Sequence, residues 1–340
     1  MTVFENLSDE IIISIIEYLT LEEFTSTFGQ LNTRLSCIIY DHPWTDHRLN
    51  IRSMNDVSTR EKIDFIEKMK LIPRISSISI HPFGIYRNIQ IFQETKSLET
   101  FQNLKALSLN HITLDEAELL FTSECLSNLH QLSRLRLIFS LGIEQNDYCL
   151  RMEKLIGLIL IHPPLRHCTL QVARPPDFSQ IQSPSSLEYF DITYCSFQSL
   201  YTLFEFTPHL RHLTATILIH SEINPEQNSI FPLLTSLKLT LSIPAYDQLK
   251  NFLEKCSRLQ TFHLVTYAEI EPLTVTETWH KFITEHLSVL TKFKRESSVK
   301  QENIAEYIQL YHWPNGWKSK EKCVPHGSNY SRMTLVNVRY

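Results

Sequence analysis

The residues best equipped for chemistry are fifteen histidines and seven cysteines, so metal binding and nucleophilic catalysis are weighed first. The densest histidine groups are His209-x-x-His212, in TPHLRHL, and Asp41-His42 followed by Asp46-His47. A zinc hydrolase needs two imidazoles on one helical face with a general base between them, as in H-E-x-x-H. Neither group has that form, and no cysteine stands at zinc-finger spacing. A cysteine–histidine pair would have to meet in space, and Cys168 and Cys195 fall on core positions of an apolar repeat. The paired carboxylates Glu22-Glu23 are accounted for by helix capping. Six glycines are too scattered to make G-x-G-x-x-G, a P-loop or the G-x-S-x-G elbow. No catalytic, cofactor-binding or metal-ligating residue is assigned, no cofactor is expected, and the chain is read as a non-enzyme. The one enzymatic alternative places a site in the C-terminal cap, 296–340; separately, Trp313 and Trp317 there could bind a ligand.

The bulk properties narrow the partners. A net charge of −5 argues against a nucleic-acid surface, which is normally basic. The exception, Lys292, Lys294 and Arg295 in TKFKRE, reads as a solvated helix or strand end. The longest apolar run, Leu155 to Ile161, is far too short for a bilayer, so no membrane partner is expected. The cysteines are odd in number, widely spaced and free of C-x-x-C, which fits reduced thiols. The acidic start MTVFENLSDE has no basic n-region. Together these predict an intracellular protein of the cytoplasm or nucleus.

The elements that would position a binding surface begin with NLSDEIIISIIEYLTLEEF. Ser8 can cap a helix whose first turn carries Asp9 and Glu10, favourably for the dipole. Ile11, Ile12, Ile13, Ile15, Ile16, Tyr18 and Leu19 cover roughly two-thirds of its circumference at about 100° per residue. That is wider than the stripe a helix needs to pack on its own core. Thr20 and Glu23 make a capping box for a second helix carrying Leu21, Phe24 and Phe28. A third fits Leu31, Leu35, Ile38 and Ile39 before Asp41-His42-Pro43 stops it. Three helices in about forty residues have more apolar surface than they can bury among themselves. Either a partner covers it, or another part of this chain does.

Residues 4–44 resemble the F-box. Leu7 and Glu10 take the family's opening Leu-Pro-x-Glu, with Ser8 in place of proline. Ile11 with Ile12 and Ile15 with Ile16 take the two apolar pairs, Tyr18 and Leu19 the closing Tyr-Leu, and Phe24 the next apolar position. The later Cys-x-Arg-Trp falls on Asn32, Thr33, Arg34 and Leu35, so cysteine and tryptophan are replaced. The resemblance implies docking through Leu7, Glu10, Ile11, Ile12, Ile15, Ile16, Leu19 and Phe24 to the Skp-family linker protein of an SCF ubiquitin ligase.

From residue 75 onward one phrase recurs, apolar-x-x-apolar-x-apolar. It appears as Ile75-Ile78-Ile80, Leu104-Leu107-Leu109, Leu132-Leu135-Leu137 and Leu165-Cys168-Leu170. It continues as Leu187-Phe190-Ile192, Leu210-Leu213-Ala215, Leu234-Leu237-Leu239 and Leu259-Phe262-Leu264, with Leu287, Leu290 and Phe293 as an irregular ninth. The starts lie about 22 to 33 residues apart. Each phrase ends in strand-like alternation. Helical patterns lie between, as in LDEAELLFTSECLSNL, SFQSLYTLFEFTP, SIPAYDQLKNFLEKC and DVSTREKIDFIEKMKLIP. A strand and a helix every two dozen residues predict a solenoid with parallel strands, whose units bury their faces only by stacking. The competing architecture is a doubly wound α/β domain.

The phrase resembles the leucine-rich repeat, L-x-x-L-x-L-x-x-[N/C]-x-L. Only the Leu187 unit keeps the family's later cysteine, at Cys195; Ile112, Ser140, Ala173, Ser242 and Tyr267 stand there in others. The resulting fold class is α/β: an N-terminal three-helix F-box, then a curved leucine-rich-repeat-like solenoid with strands concave and helices convex. The domains are 1–45 F-box-like, 46–69 linker helix, 70–295 irregular repeat array and 296–340 C-terminal cap. In the cap, Trp313 and Trp317 close the array and Met333–Val338 form a final strand.

Residues between the buried strand positions are expected on the concave face. They include Ser77, Ser79, Ala106, Ser108, Arg134, Arg136, His167, Thr169, Tyr189 and Asp191. His212, Thr214, Ser236, Lys238, Thr261 and His263 continue the series. Arg134, Arg136, His167, Tyr189, Asp191, His212, Lys238 and His263 are the candidate target-binding residues. Hydroxyls, aromatics and both signs of charge suit a protein target. The functional expectation is a substrate-recognition adaptor of an SCF-type ubiquitin ligase. The alternative is a repeat scaffold for protein interaction with no link to ubiquitin transfer.

Overall fold

The structure is a computed structural model. It describes residues 7–18, 47–51, 63, 67, 72–81, 98–140, 147–218, 231, 233–242, 246–266, 276–300, 317–325 and 330–339. The second and third expected N-terminal helices, Leu19, Phe24 and Trp313 lie outside the described residues. The chain divides into two units, Met1–Glu144 and Gln145–Tyr340.

In the first unit, helix α1 spans Asp9–Tyr18, where the sequence predicts it. The Ser8 carbonyl accepts the first helical bond, from the Ile12 N–H at 3.1 Å, as an N-cap residue does. Four parallel strands follow: β1 (His47–Ile51), β2 (Ile75–Ile80), β3 (Ala106–Ile112) and β4 (Arg134–Phe139). Strand β1 lies inside the stretch expected to be a linker helix, 46–69. Ile63 and Glu67 further along it are helical. The sequence signal for β1 is Leu49 and Ile51 two apart, too short to register as a repeat. After β3 come α2 (Leu114–Leu120) and α3 (Ser123–Asn128). Helix α2 opens on a capping box in which Thr113 N–H donates to Glu116 Oε2 at 2.8 Å and Glu116 N–H donates to Thr113 Oγ1 at 3.2 Å. Two orphan amides are thereby satisfied reciprocally.

In the second unit the elements are α4 (Tyr148–Leu160), β5 (His167–Gln171), β6 (Tyr189–Cys195), α5 (Phe197–Phe206) and β7 (His212–Ile217). Then come β8 (Ser236–Leu241), α6 (Tyr246–Glu254), β9 (Thr261–Thr266), α7 (Thr276–His286) and β10 (Lys292–Lys300). Strands β5 to β10 pair in sequence order and in parallel. The tail then reverses direction. Strands β11 (Trp317–Pro325) and β12 (Tyr330–Arg339) pair antiparallel, and β12 pairs antiparallel with β10. The expected strand Met333–Val338 is thus the centre of β12, and Trp317 opens β11.

The fold is α/β with parallel strands, and the recurring phrase builds its core. All three apolar positions of each of the eight phrases are buried, as are Leu287, Leu290 and Phe293. Full burial of a leucine, isoleucine or phenylalanine contributes about 1.5–3 kcal/mol, which is why the apolar spacing recurs. The first residue of the phrase closes a turn onto the residue three before it. Leu104, Leu132, Leu165, Leu210, Leu234 and Leu259 N–H groups donate to the Phe101, Leu129, His162, Thr207, Phe231 and Cys256 carbonyls at 3.0–3.4 Å. One carbonyl of each unit then takes two amides of the next. Arg166 O receives Glu188 and Tyr189, Glu188 O receives Arg211 and His212, and Arg211 O receives Thr235 and Ser236. This regular stitch locks neighbouring strands in register.

Just beyond β4 and β8, Ser140 and Ser242 tie back to the end of the preceding strand. The Ser242 hydroxyl donates to Ile217 O at 2.8 Å and the Ser140 hydroxyl to Ile112 O at 3.4 Å. Behind the sheet of the second unit, Phe197, Tyr201, Phe204, Phe231 and Phe252 form an aromatic cluster with ring centroids 3.9–6.0 Å apart.

Candidate functional site

Because β5, β6 and β7 are parallel and in register, His167, Tyr189 and His212 stand side by side on the face opposite the core. Each occupies the third position of its phrase. Parallel strands lie about 4.8 Å apart, close to the stacking distance of two rings. The His167 and Tyr189 centroids are 4.2 Å apart with planes at 12°, and Tyr189 and His212 are 4.1 Å apart at 3°. Both faces of the Tyr189 ring are therefore covered, although the residue remains 38% exposed at its edge. Burial and the neighbouring Arg211 hold the His212 pKa below its ordinary value, against the opposing pull of Glu188. At neutral pH the His212 ring is uncharged, with one nitrogen donating and one accepting.

Two residues further along the strands, a second row runs Thr169, Asp191, Thr214, Lys238, His263 and Lys294. Between the ring row and Thr169, Asp191 and Thr214 lies an open groove of about 230 Å³, floored by Cys168 and Phe190. Small-molecule clefts usually start near 300 Å³, so the groove is sized for one side chain or a small group.

A separate cluster sits farther along the same unit. His263 Nε2 lies 3.1 Å from Glu296 Oε1, which also pairs with the Lys294 ammonium. Burial first, then the charges of Lys294 and Lys238, push the His263 pKa down to about 4 despite Glu296. The neutral imidazole thus donates its Nε2–H to the carboxylate.

In the first unit, Ser79 Oγ lies 2.8 Å from His81 Nε2, with Asn110 Nδ2 2.9 Å from His81 Nδ1. The set has the residue types of a nucleophile and its base. The polarity is wrong for that task, however. The Asn110 amide donates, so Nδ1 accepts, and Nε2 must carry the proton toward Ser79. A ring in that tautomer cannot take the Ser79 proton. The network instead satisfies Asn110, which is only 5% exposed. Among the described residues no three His, Cys, Asp or Glu side chains gather as a metal site. Burial raises the thiol pKa of Cys168, Cys195 and Cys256, and that of Cys125 to about 11, which keeps them protonated and poorly nucleophilic.

The predicted target-binding residues divide as follows. His167, Tyr189, Asp191 and His212 come together around the groove. Lys238 is exposed on the next strand but one from Asp191, and His263 belongs to the Glu296 cluster. Arg134 and Arg136 are exposed on β4 of the first unit, in register with Ala106 and Ser108. The stack itself and the role of Glu296 go unread in the sequence. The signal for the stack was available: three consecutive repeats carry rings at one phrase position.

Of the predicted docking residues, Ile11 is 48% exposed, Glu10 is exposed, and Leu7 and Ile15 are half-buried. Ile12 is fully buried, and Ile16 lies on α1. The sequence matches no protein-family model and no curated protein.

Proposed function

We propose that this chain is a substrate-recognition adaptor of an SCF-type ubiquitin ligase. The open face of its parallel strands holds a protein target, and α1 docks to the Skp-family linker. The observation that carries the reading is the in-register face of the second unit, where ring, hydroxyl and charged side chains stand in two continuous rows. Such a face offers a rigid aromatic anchor within a polar surround, the make-up of a protein-binding patch. The 48% exposure of Ile11 on α1 supports docking at the other end of the chain. The adaptor forms no bond itself. It raises the effective concentration of target lysines near the conjugating enzyme, so catalysis rests on proximity.

The complete burial of Ile12 favours a second reading, a scaffold whose α1 belongs to its own domain and carries no ligase. Co-purification of the full chain with a Skp-family linker separates the two. Loss of capture in Ile11→Asp, with the melting transition unchanged, supports the adaptor. Equal capture by wild type and Ile11→Asp, or none by either, leaves the scaffold.

A further inference from the structure

We propose that the groove between the ring row and the Thr169–Asp191–Thr214 row takes a single lysine or arginine side chain of the target protein. The inference rests on reading the open face as the target surface, and it names the chemistry of the anchor.

Charge complementarity carries it. Among the described residues lining the groove, Asp191 is the only Asp, Glu, Lys or Arg side chain, and it is exposed. Thr169 and Thr214 stand beside Asp191 in register on the neighbouring strands and also line the groove, and a threonine hydroxyl can accept as well as donate. The His167–Tyr189–His212 stack forms the opposite wall, and its rings hold one another in place before a ligand arrives. The aliphatic stem of a lysine or arginine would lie along that wall with its head at Asp191, since such side chains combine an apolar stem and a polar tip. An acidic side chain would meet the carboxylate head-on. The volume of about 230 Å³ is below that of ordinary metabolite sites.

The neighbourhood limits the site to one cation. Lys238 stands in the same row as Asp191, two strands away, about 10 Å at the usual strand spacing. A second basic side chain would face its ammonium. A polybasic tract or a nucleic-acid backbone is therefore a poor occupant, whereas a segment with one basic residue is a good one. His212 adds no competing charge near neutral pH, because burial and Arg211 keep it neutral.

The test uses the full chain with labelled histidine and tyrosine, titrated with the blocked tripeptides Gly-Arg-Gly, Gly-Lys-Gly, Gly-Glu-Gly and Gly-Leu-Gly. Saturable shifts of His167, Tyr189 and His212 signals are expected with the arginine and lysine peptides only. Asp191→Asn should weaken that binding at least fivefold while leaving the ring-stack signals of the free protein in place. Asp191→Lys should reverse the preference toward the glutamate peptide. No saturable shift, equal shifts with all peptides, or an unchanged Asp191→Asn affinity overturns the proposal. The wider reading is judged separately by target capture. A null titration, with capture abolished by Tyr189→Ala, removes the cationic anchor and leaves the target surface. Capture unaffected by Tyr189→Ala removes both.

Discussion

Tyr189 and His212 stack with ring centroids 4.1 Å apart and planes 3° from parallel, although 23 positions separate them in the chain. The contact exists because one phrase places both residues at the same point of adjacent strands. Stacking of this kind is worth about 0.5–1.5 kcal/mol per pair beyond buried area. Tyr189→Ala removes two pairs and is expected to destabilise the second unit by about 1–2 kcal/mol in denaturant unfolding. The same variant exposes the His212 imidazole, so its titration, followed by proton NMR, should rise toward the ordinary histidine range. Tyr189→Phe keeps both effects close to wild type.

His263 gives stability a defined pH dependence. Its folded pKa is about 4 against an ordinary 6.5, so the unfolded chain binds the proton first as pH falls. Stability contributed by the neutral ring is complete above about pH 7, declines through the interval, and levels off below about pH 4. At pH 5 the loss is about 2 kcal/mol. His263→Gln, which can still donate to Glu296, should flatten this part of the unfolding profile measured between pH 7 and pH 4.

Thiol accessibility should follow burial. Cys149 is exposed, whereas Cys125, Cys168, Cys195 and Cys256 are buried. Of these five, a maleimide applied to the native protein at neutral pH should label Cys149 first, as read by peptide mass spectrometry. The four buried thiols should react only on denaturation.

Helix α4 meets the turn Phe178–Gln180 at Gly157, where an added Cβ would stand 3.1 Å from Gln180 O. That acceptor is backbone and cannot rotate away. Gly157→Val adds a branched side chain there and is expected to cost on the order of 2 kcal/mol by overpacking, seen as a lower unfolding midpoint. A smaller loss is expected for Gly157→Ala, which gains helix propensity while meeting the same carbonyl.

The two neighbouring isoleucines of α1 should behave differently. Ile11 is 48% exposed and Ile12 fully buried. Ile12→Asp places an unpaired charge in an apolar site and should lose several kcal/mol, unfolding the first unit. Ile11→Asp should leave the thermal midpoint within about 2 °C, consistent with a change of under about 0.5 kcal/mol at an exposed position.

Much of this architecture is legible in the chain because its signals are local and repeated. The eight phrases fix which residues turn inward, since a period of two decides the face of a strand irrespective of its neighbours. The helix beginning at Asp9 and the capping box at Thr113 and Glu116 are written in a few consecutive residues. Strand β1 escapes notice because its five residues carry no repeat, and pairing with β2 gives them their form. The burial of Ile12 next to exposed Ile11 likewise depends on what packs against α1, which helical periodicity alone does not specify.

The open face shows the same division. By itself the sequence determined that His167, Tyr189, Asp191 and His212 would leave the core, because alternation sets direction along each strand. Only the tertiary structure decided that the rings stack, that Asp191 borders a groove, and that His263 shares Glu296 with Lys294. Those relations depend on register between strands some twenty to thirty residues apart. Register is set by hydrogen bonds and core packing across repeats, and no single repeat contains them.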